Sequence, residues 1–362
     1  MPMEIIQGTR MTMQILDKSR YGEWDRFVSE GNGAIFHTSW WHKAWGIDFA
    51  IHVLLDENGE IEAGMPVYVS RFPGMPKVMD LLGIKGLTKP PLTPVNGPIF
   101  RACTRPGRPS VYSHAKKEII QSLQSLPRLD FYDFHLWRFC TDLMPFMWNG
   151  FETQVLYTYL IKAGSAEIWH SNMSRKARRF LKDAGREAAR EGYSDIITDA
   201  PFSDMDLPFR ETMRRKKFEV AQYSGLPGWW ETVRNRKAGK SYLIKDRNGK
   251  PVCASIMVWD NRTAYSLVGG MDSTIRRDSH INMLIFGRMI EDALEMGLDF
   301  DFEGSSLMGV ERFYRGWGGE LKPCFRAIKV PSKAAYFGFK AHKYLTLHRK
   351  KGWINPGETE GI

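Results

Sequence analysis

Leu298 Asp299 Phe300 Asp301 Phe302 Glu303 Gly304 Ser305 Ser306, followed by Gly309 Val310 Glu311 Arg312 Phe313 Tyr314 Arg315 Gly316 Trp317 Gly318 Gly319, is the stretch on which the reading of this chain turns. Leu298, Phe300 and Phe302 alternate with Asp299, Asp301 and Glu303, and a period of two makes a strand with one apolar and one acidic face. The strand stops at a glycine and two serines, where the backbone can approach a ligand closely, before an aromatic and arginine-rich helix begins. Carboxylates placed where a strand opens into a loop can hold a proton acceptor in a cleft. Three of them on one face raise one another's pKa where water is partly excluded, so Asp301, between two phenylalanines, is a candidate base.

Outward from this strand, the second half of the chain reads as helix Ser174 to Glu191, strand Asp195 to Thr198, and helices near Asp206 to Val220 and Gly228 to Lys237. A hairpin of Tyr242 to Asp246 and Val252 to Trp259 turns at Asn248 Gly249, and strand Thr263 to Gly270 and loop Met271 to Asp278 follow. Helix Ser279 to Met296, capped by Ser279 or Asp278, leads into the acidic strand, then helix Val310 to Trp317 and strand Pro323 to Val330.

The first half repeats this plan. Strand Met13 to Leu16, helix Tyr21 to Glu30 and a short helix from Ser39 to Trp45 precede a hairpin of Ile51 to Asp56 and Ile61 to Ser70, which turns at Asn58 Gly59. A strand at Val78 to Leu82 leads to the proline-dense loop Lys89 to Pro98, which cannot be helix. Helix Ser113 to Leu126, strand Phe131 to Leu136, a short helix Leu143 to Trp148 and strand Glu152 to Ile161 complete it. The recurrence predicts an α/β fold of α+β mixed-sheet type, built as two tandem lobes with a central cleft. The expected divisions are a disordered lead-in at 1–12, lobes at 13–165 and 166–330, and a basic aromatic tail at 331–362.

At 362 residues the chain exceeds what one core usually supports. A formal charge of +10 points to an anionic partner such as a phosphate-bearing cofactor, RNA, an acidic glycan precursor or an anionic membrane face. The four cysteines are scattered and no HExxH pattern occurs, so a metal site is not expected. With neither a signal-peptide pattern nor a run of about eighteen apolar residues, the expected location is the cytoplasm. In the tail, Lys333 to Trp353 mixes aromatics with lysine and arginine and contains no acid. Such a segment packs its aromatic stripe on the domain or lies on an anionic membrane face.

The order of elements resembles the tandem branch of the GNAT acyltransferase superfamily, which includes the Fem-type peptidyltransferases and acetyltransferase-like bacterial proteins. Four places carry the resemblance: Ile35 to Trp41 as an aromatic entry segment, Pro90 to Pro98 as a proline-rich loop, the basic helix opening at Ser174 to Ala184, and Phe300 to Gly304 with Phe313 to Gly319. One departure stands out. Fem-type members tend to place lysine directly after the phenylalanine of the late helix, and here Tyr314 follows Phe313, with Arg315 next.

The resemblance implies acyl-CoA as donor and an amine, on a small molecule or glycan precursor, as acceptor, joined by direct attack. Asp301 or Glu303 would take the ammonium proton, and Tyr265 or Tyr314 could protonate the leaving thiolate. Single-domain members bind the cofactor pyrophosphate at a strand-to-helix turn, which corresponds here to Arg276, Arg277, Ser279 and His280. Arg315 and Trp317 are candidates for acceptor binding. Arg175, Arg178 and Arg179 join them, because Arg175, Lys176 and Arg178 lack an acid at helical spacing and suit a phosphate or RNA. The alternatives are an aminoacyl-tRNA-dependent peptidyltransferase and a non-catalytic protein that holds an anionic ligand.

Overall fold

In the computed structural model, residues 13–31, 33–70, 83–101, 120, 129–216, 223–276, 279–304, 308–333 and 335–337 are described. The expected strand at Val78 to Leu82, nearly all of the helix at Ser113 to Leu126, the lead-in and the tail beyond residue 337 lie outside them.

The strands are β1 (Met13–Ile15), β2 (Ala50–Leu55), β3 (Ile61–Ser70), β4 (Gly86–Thr88), β5 (Ile99–Phe100), β6 (Phe131–Leu136), β7 (Glu152–Ile161), β8 (Ile197–Thr198), β9 (Gly239–Lys245), β10 (Pro251–Trp259), β11 (Thr263–Met271), β12 (Asp299–Asp301) and β13 (Glu320–Lys329). They form one sheet in the order β1-β2-β3-β4-β6-β13-β7-β12-β11-β10-β9-β8, with β5 paired on β3. The order is a palindrome of two similar halves. Each half is an antiparallel run that closes on a parallel pair, β4 with β6 and β11 with β12. The last strand of each half crosses over: β7 pairs with β12, and β13 pairs with β6, while the two pair with each other along their length. A mixed α/β fold of two tandem lobes is therefore what the chain forms.

The two Asn-Gly hairpins turn by the same device. Asp56 Oδ1 accepts from the amides of Asn58 and Glu60, and Asp246 Oδ1 accepts from those of Asn248 and Lys250. Gly59 and Gly249 then take φ of +80° and +78°, which a β-carbon would resist.

The helices named here are α1 (Tyr21–Glu30), α2 (Ser39–Ala44), α3 (Met144–Trp148), α4 (Ala166–Asn172), α5 (Arg175–Glu191), α6 (Phe202–Lys216), α7 (Leu226–Asn235), α8 (Asn282–Glu295) and α9 (Met308–Gly316). Helix α4, the short strands β4 and β5, and the early start of α6 were not legible in the pattern. Helix α6 holds Pro208 within it, which obscures a helical reading. Helix α8 starts at Asn282, three residues later than expected, with Ile281 as its cap and no side-chain capping bond. The residues before it turn instead through Ser279 N to Arg276 O (3.1 Å) and Met283 N to His280 O (2.8 Å).

Two cores set the halves against each other. Behind β12, Phe300 and Phe302 pack with Met289, Ile290 and Ala293 of α8 and with Trp317. Between the lobes, Phe36, Trp41, Trp137, Trp229, Trp230 and Tyr265 form an aromatic cluster drawn from both halves. The β10–β11 turn clamps the end of α1, with Arg262 donating to Gly31 O and Gly33 O (2.5 Å each) and Asn261 to Ser29 O (2.8 Å). Burial of these rings fixes the cleft that lies beside them.

Candidate active site

The two faces of the acidic strand meet opposite environments. Phe300 and Phe302 sink into the core, while Asp299 and Asp301 occupy the other face of the sheet. Asp299 is held by Lys162 (3.1 Å), by the amide of Ala163 (3.0 Å) and by Arg138 (3.4 Å). After Phe302 the alternation breaks. Glu303 and Gly304 both take left-handed backbone, φ +60° and +61°, so the chain turns off the sheet. A β-carbon at Gly304 would run into the carbonyl of Tyr157, so glycine is required there by contact as well as by φ. Glu303 stands at a strained position and is one of the walls of a cavity of about 610 Å³ between the lobes.

The cavity brings residues of both halves together. Lys89, His135, Trp137 and Arg138 come from the first half, Thr158 and Tyr159 from β7, and Asp301, Glu303 and Glu311 from the second. Asp301 is buried and committed: its Oδ1 accepts from Thr158 Oγ1 (2.5 Å) and from the Glu303 amide (2.9 Å), and its Oδ2 lies 3.5 Å from Arg138. Burial raises its pKa above the ordinary carboxylate value, against the pull of those partners. Glu303 differs. Its carboxyl makes no hydrogen bond or ion pair with any described residue, and burial together with the Asp301 charge lifts its pKa well above the usual range, with Lys89 and Arg138 opposing. Lys89 is lowered to about 8 by burial, and its ammonium donates to Pro94 O (3.1 Å). The Cys324 thiol, also in the wall, is pushed up to about 12 by burial and is protonated near neutrality.

One carboxyl is thus anchored and the other is free. Asp301 fixes the Glu303 backbone, and Glu303 keeps open lone pairs and a raised proton affinity facing the cavity, as a general base requires. Lys89 and Arg138 face the two acids from the opposite lobe. Neither was singled out in the sequence, although Lys89 directly precedes Pro90 Pro91 and Arg138 sits between two aromatic residues that it stacks upon, 4.6 Å from the Trp137 ring and 5.2 Å from Phe139.

The other expected site residues are dispersed. Tyr265 pairs in register with Asp301, but its ring is fully buried in the interlobe cluster and its hydroxyl donates to Asp260 (2.8 Å), so it is not a cavity wall. Tyr314 is likewise not a cavity wall, but it packs against the acidic strand. Its ring lies 4.8 Å from Phe302, and burial, followed by the charges of Glu303 and Asp301, pushes its hydroxyl up to about 12. Trp317 is drawn wholly into the core, where its carbonyl accepts from Trp169 Nε1 (3.0 Å), and it presents no surface to an acceptor. Arg315 is exposed and paired with Glu311 (3.4 Å). Arg178 folds back on the end of α4, donating to His170 O (3.0 Å) and Ser171 O (3.3 Å). Arg175 and Arg179 remain exposed and without an ion pair among the described residues.

At the turn before α8, His280 stacks on Phe180 (3.9 Å between ring centres), and its amide donates to Glu187 (3.2 Å). Ser279 Oγ accepts from the Ile281 amide (3.3 Å), and Arg276 is exposed. Arg277 and Asp278 lie outside the described residues. Among the described residues no three His, Cys, Asp or Glu side chains gather as a metal would require.

The acetyltransferase (GNAT) domain family matches residues 170–315. No curated protein matches the chain in sequence. Among solved structures, FemX is 12% identical with a TM-score of 0.61, covering 90% of this chain and 99% of that one. The C-terminal domain of a putative lysylphosphatidylglycerol synthetase from Agrobacterium fabrum is 11% identical, TM-score 0.53, over 95% and 99% of the two chains. L-PGS from Bacillus licheniformis is 12% identical, TM-score 0.53, over 91% and 97%. At these identities the likeness to solved structures is one of fold. The second half thus matches the acetyltransferase (GNAT) domain family, and the chain as a whole shares its two-lobed fold with FemX.

Proposed function

We propose that the chain is an N-acyltransferase that moves an acyl group from acyl-CoA to an amine, with Glu303 as general base and lobes divided at 13–165 and 166–330. The single observation that carries this reading is the free, proton-seeking carboxyl of Glu303 in a cavity shared by both lobes. The amine nitrogen attacks the thioester carbonyl carbon, a C–N bond forms and the C–S bond breaks. The ammonium proton passes to Glu303, and the departing thiolate takes a proton, for which Tyr314 is the better placed of the two tyrosines. Lys89 and Arg138 keep positive potential beside the charge that builds on the carbonyl oxygen.

The backbone supports an amide-bearing donor. β12 pairs with β11 only from Thr263 to Tyr265, so β11 continues to Met271 with no strand on that side among the described residues. Met271 gives its amide to Thr212 and accepts at its carbonyl from Thr212 and Arg215 of α6, so the stretch between Tyr265 and Met271 is what would suit the extended, amide-rich arm of coenzyme A. A second reading, with aminoacyl-tRNA as donor, is favoured by the exposed first turn of α5, where Arg175, Lys176 and Arg179 have no acidic partner among the described residues. The charged tail would add contact with an anionic membrane face, and the enzyme would work in the cytoplasm. No described helix is long and apolar enough to cross a membrane.

Thermal-shift titration separates the donors. Acetyl-CoA should raise Tm by mass action while tRNA leaves it unchanged, and amine-dependent release of free thiol should follow. A shift with charged tRNA alone would favour the second reading.

A further inference from the structure

The cavity that holds Glu303 has apolar as well as polar walls. Its other walls include Val155, Tyr157, Leu321 and Met308, which are 53, 52, 52 and 74% exposed. Val155, Tyr157 and Leu321 share one face of the paired strands β7 and β13: Val155 is opposite Phe325, Tyr157 opposite Pro323, and Leu321 opposite Tyr159. With Met308, at the start of α9, they line the same cavity as Glu303, on the sheet face of Phe300 and opposite that of Asp301 and Thr158. Large apolar side chains left half in water beside a reactive group mark a binding surface more often than a scatter of single exposed residues does.

We propose, resting on the acyltransferase reading, that the acceptor is an amphiphile: a primary amine carried on an apolar chain, with its nitrogen at Glu303 and its chain lying over Val155, Tyr157, Leu321 and Met308. The geometry selects the acceptor over the donor for this place. The atom that must touch the proton acceptor is the amine nitrogen, so the molecule occupying the cavity around Glu303 is the one that carries it. The donor arm is proposed to lie along β11, and residues 266–271 of that strand are not walls of the cavity. The chemistry of the walls agrees with one amphiphilic occupant: the Glu303 carboxyl for the amine, and the aliphatic and aromatic carbon of Val155, Tyr157, Leu321 and Met308 for the chain.

The test uses straight-chain primary amines from butylamine to dodecylamine, below their aggregation concentrations, with acetyl-CoA as donor and thiol release as readout. Values of kcat/KM should rise with amine length by about three-fold per methylene until the apolar surface is covered. Leu321→Asp and Val155→Asp should each cut the dodecylamine-to-butylamine ratio by at least about ten-fold. Thermal shifts with the same amines, which need no turnover, should show the same order and the same loss in the variants. Turnover of short amines with a flat series in both readouts overturns this inference and leaves the acyltransferase reading standing. Dependence on the acyl length of the donor in place of the amine also overturns it. Length-dependent binding without thiol release keeps the amphiphile and removes the acyltransferase reading.

Discussion

The guanidinium of Arg138, from the first half of the chain, lies 3.5 Å from the carboxylate of Asp301, from the second half, and 3.4 Å from Asp299. Arg138 also donates to Thr263 Oγ1 (2.9 Å), so one side chain ties the first lobe to both members of the parallel pair β11–β12. The bridge is part of the site's architecture: it holds Asp301 ionisable but occupied, and that leaves Glu303 as the group with freedom to exchange a proton.

Removing this cation strands two partly or wholly buried carboxylates. Arg138→Met should cost about 3 kcal/mol of unfolding free energy, because breaking a buried pair leaves its partners uncompensated. Urea denaturation checks it. A loss no larger than that of an exposed ion pair, about 0.5 kcal/mol, would show that the two halves do not depend on the contact.

Glu303 should weaken the fold it serves. Its folded-state pKa lies well above the ordinary 4.5, so between those two values the unfolded chain ionises first and stability declines as pH rises. Glu303→Gln escapes that decline. Its Tm should match the parent's below the ordinary carboxylate range and exceed it at neutral pH, the pattern of a group held for function against stability.

At the acid end, His37 and His42 dominate. Both are fully buried, and burial depresses them to about 4 and about 3 from 6.5. Because the unfolded chain takes up these protons first, the stability they confer is present above pH 6.5 and is lost as pH falls toward 4 and below. Tm measured between pH 7 and pH 4 should fall less steeply in His42→Phe than in the parent, once each is referred to its own value at pH 7.

Gly304→Ala tests the turn. A β-carbon there meets the Tyr157 carbonyl at a φ of +61°, so the substitution should cost about 2 kcal/mol and displace Glu303 with it. Activity should fall further than stability predicts, as judged by turnover at a temperature where the variant is fully folded.

Much of this is legible in the order of residues alone. The Asn-Gly turns, the alternation at Leu298 to Glu303 and the repeated element order are local signals, and they determine the hairpins, the acidic strand and the two-lobed plan. What stayed hidden depends on contacts distant in sequence. Nothing local says that β13 inserts between β6 and β7, that Lys89 and Arg138 cross to face the acids, or that Tyr265 spends its hydroxyl on Asp260. Trp317 and Arg178 misled for a similar reason: a tryptophan after a glycine-flanked helix and an arginine on a basic turn look available, and packing against Trp169 and the end of α4 removes them. The choice between Asp301 and Glu303 needed the left-handed turn, which only the three-dimensional path reveals.

The central claim is that Glu303 takes the proton of the attacking amine, and the pH dependence of kcat/KM tests it most directly. With acetyl-CoA and a reactive amine, the parent should give a bell: an acid limb above the ordinary carboxylate range, set by Glu303, and an alkaline limb near 8, where Lys89 loses its charge. Glu303→Gln should lose the acid limb and at least about a hundred-fold in kcat/KM, while still binding acetyl-CoA. A Glu303→Gln variant with undiminished turnover and an unchanged acid limb would contradict the account.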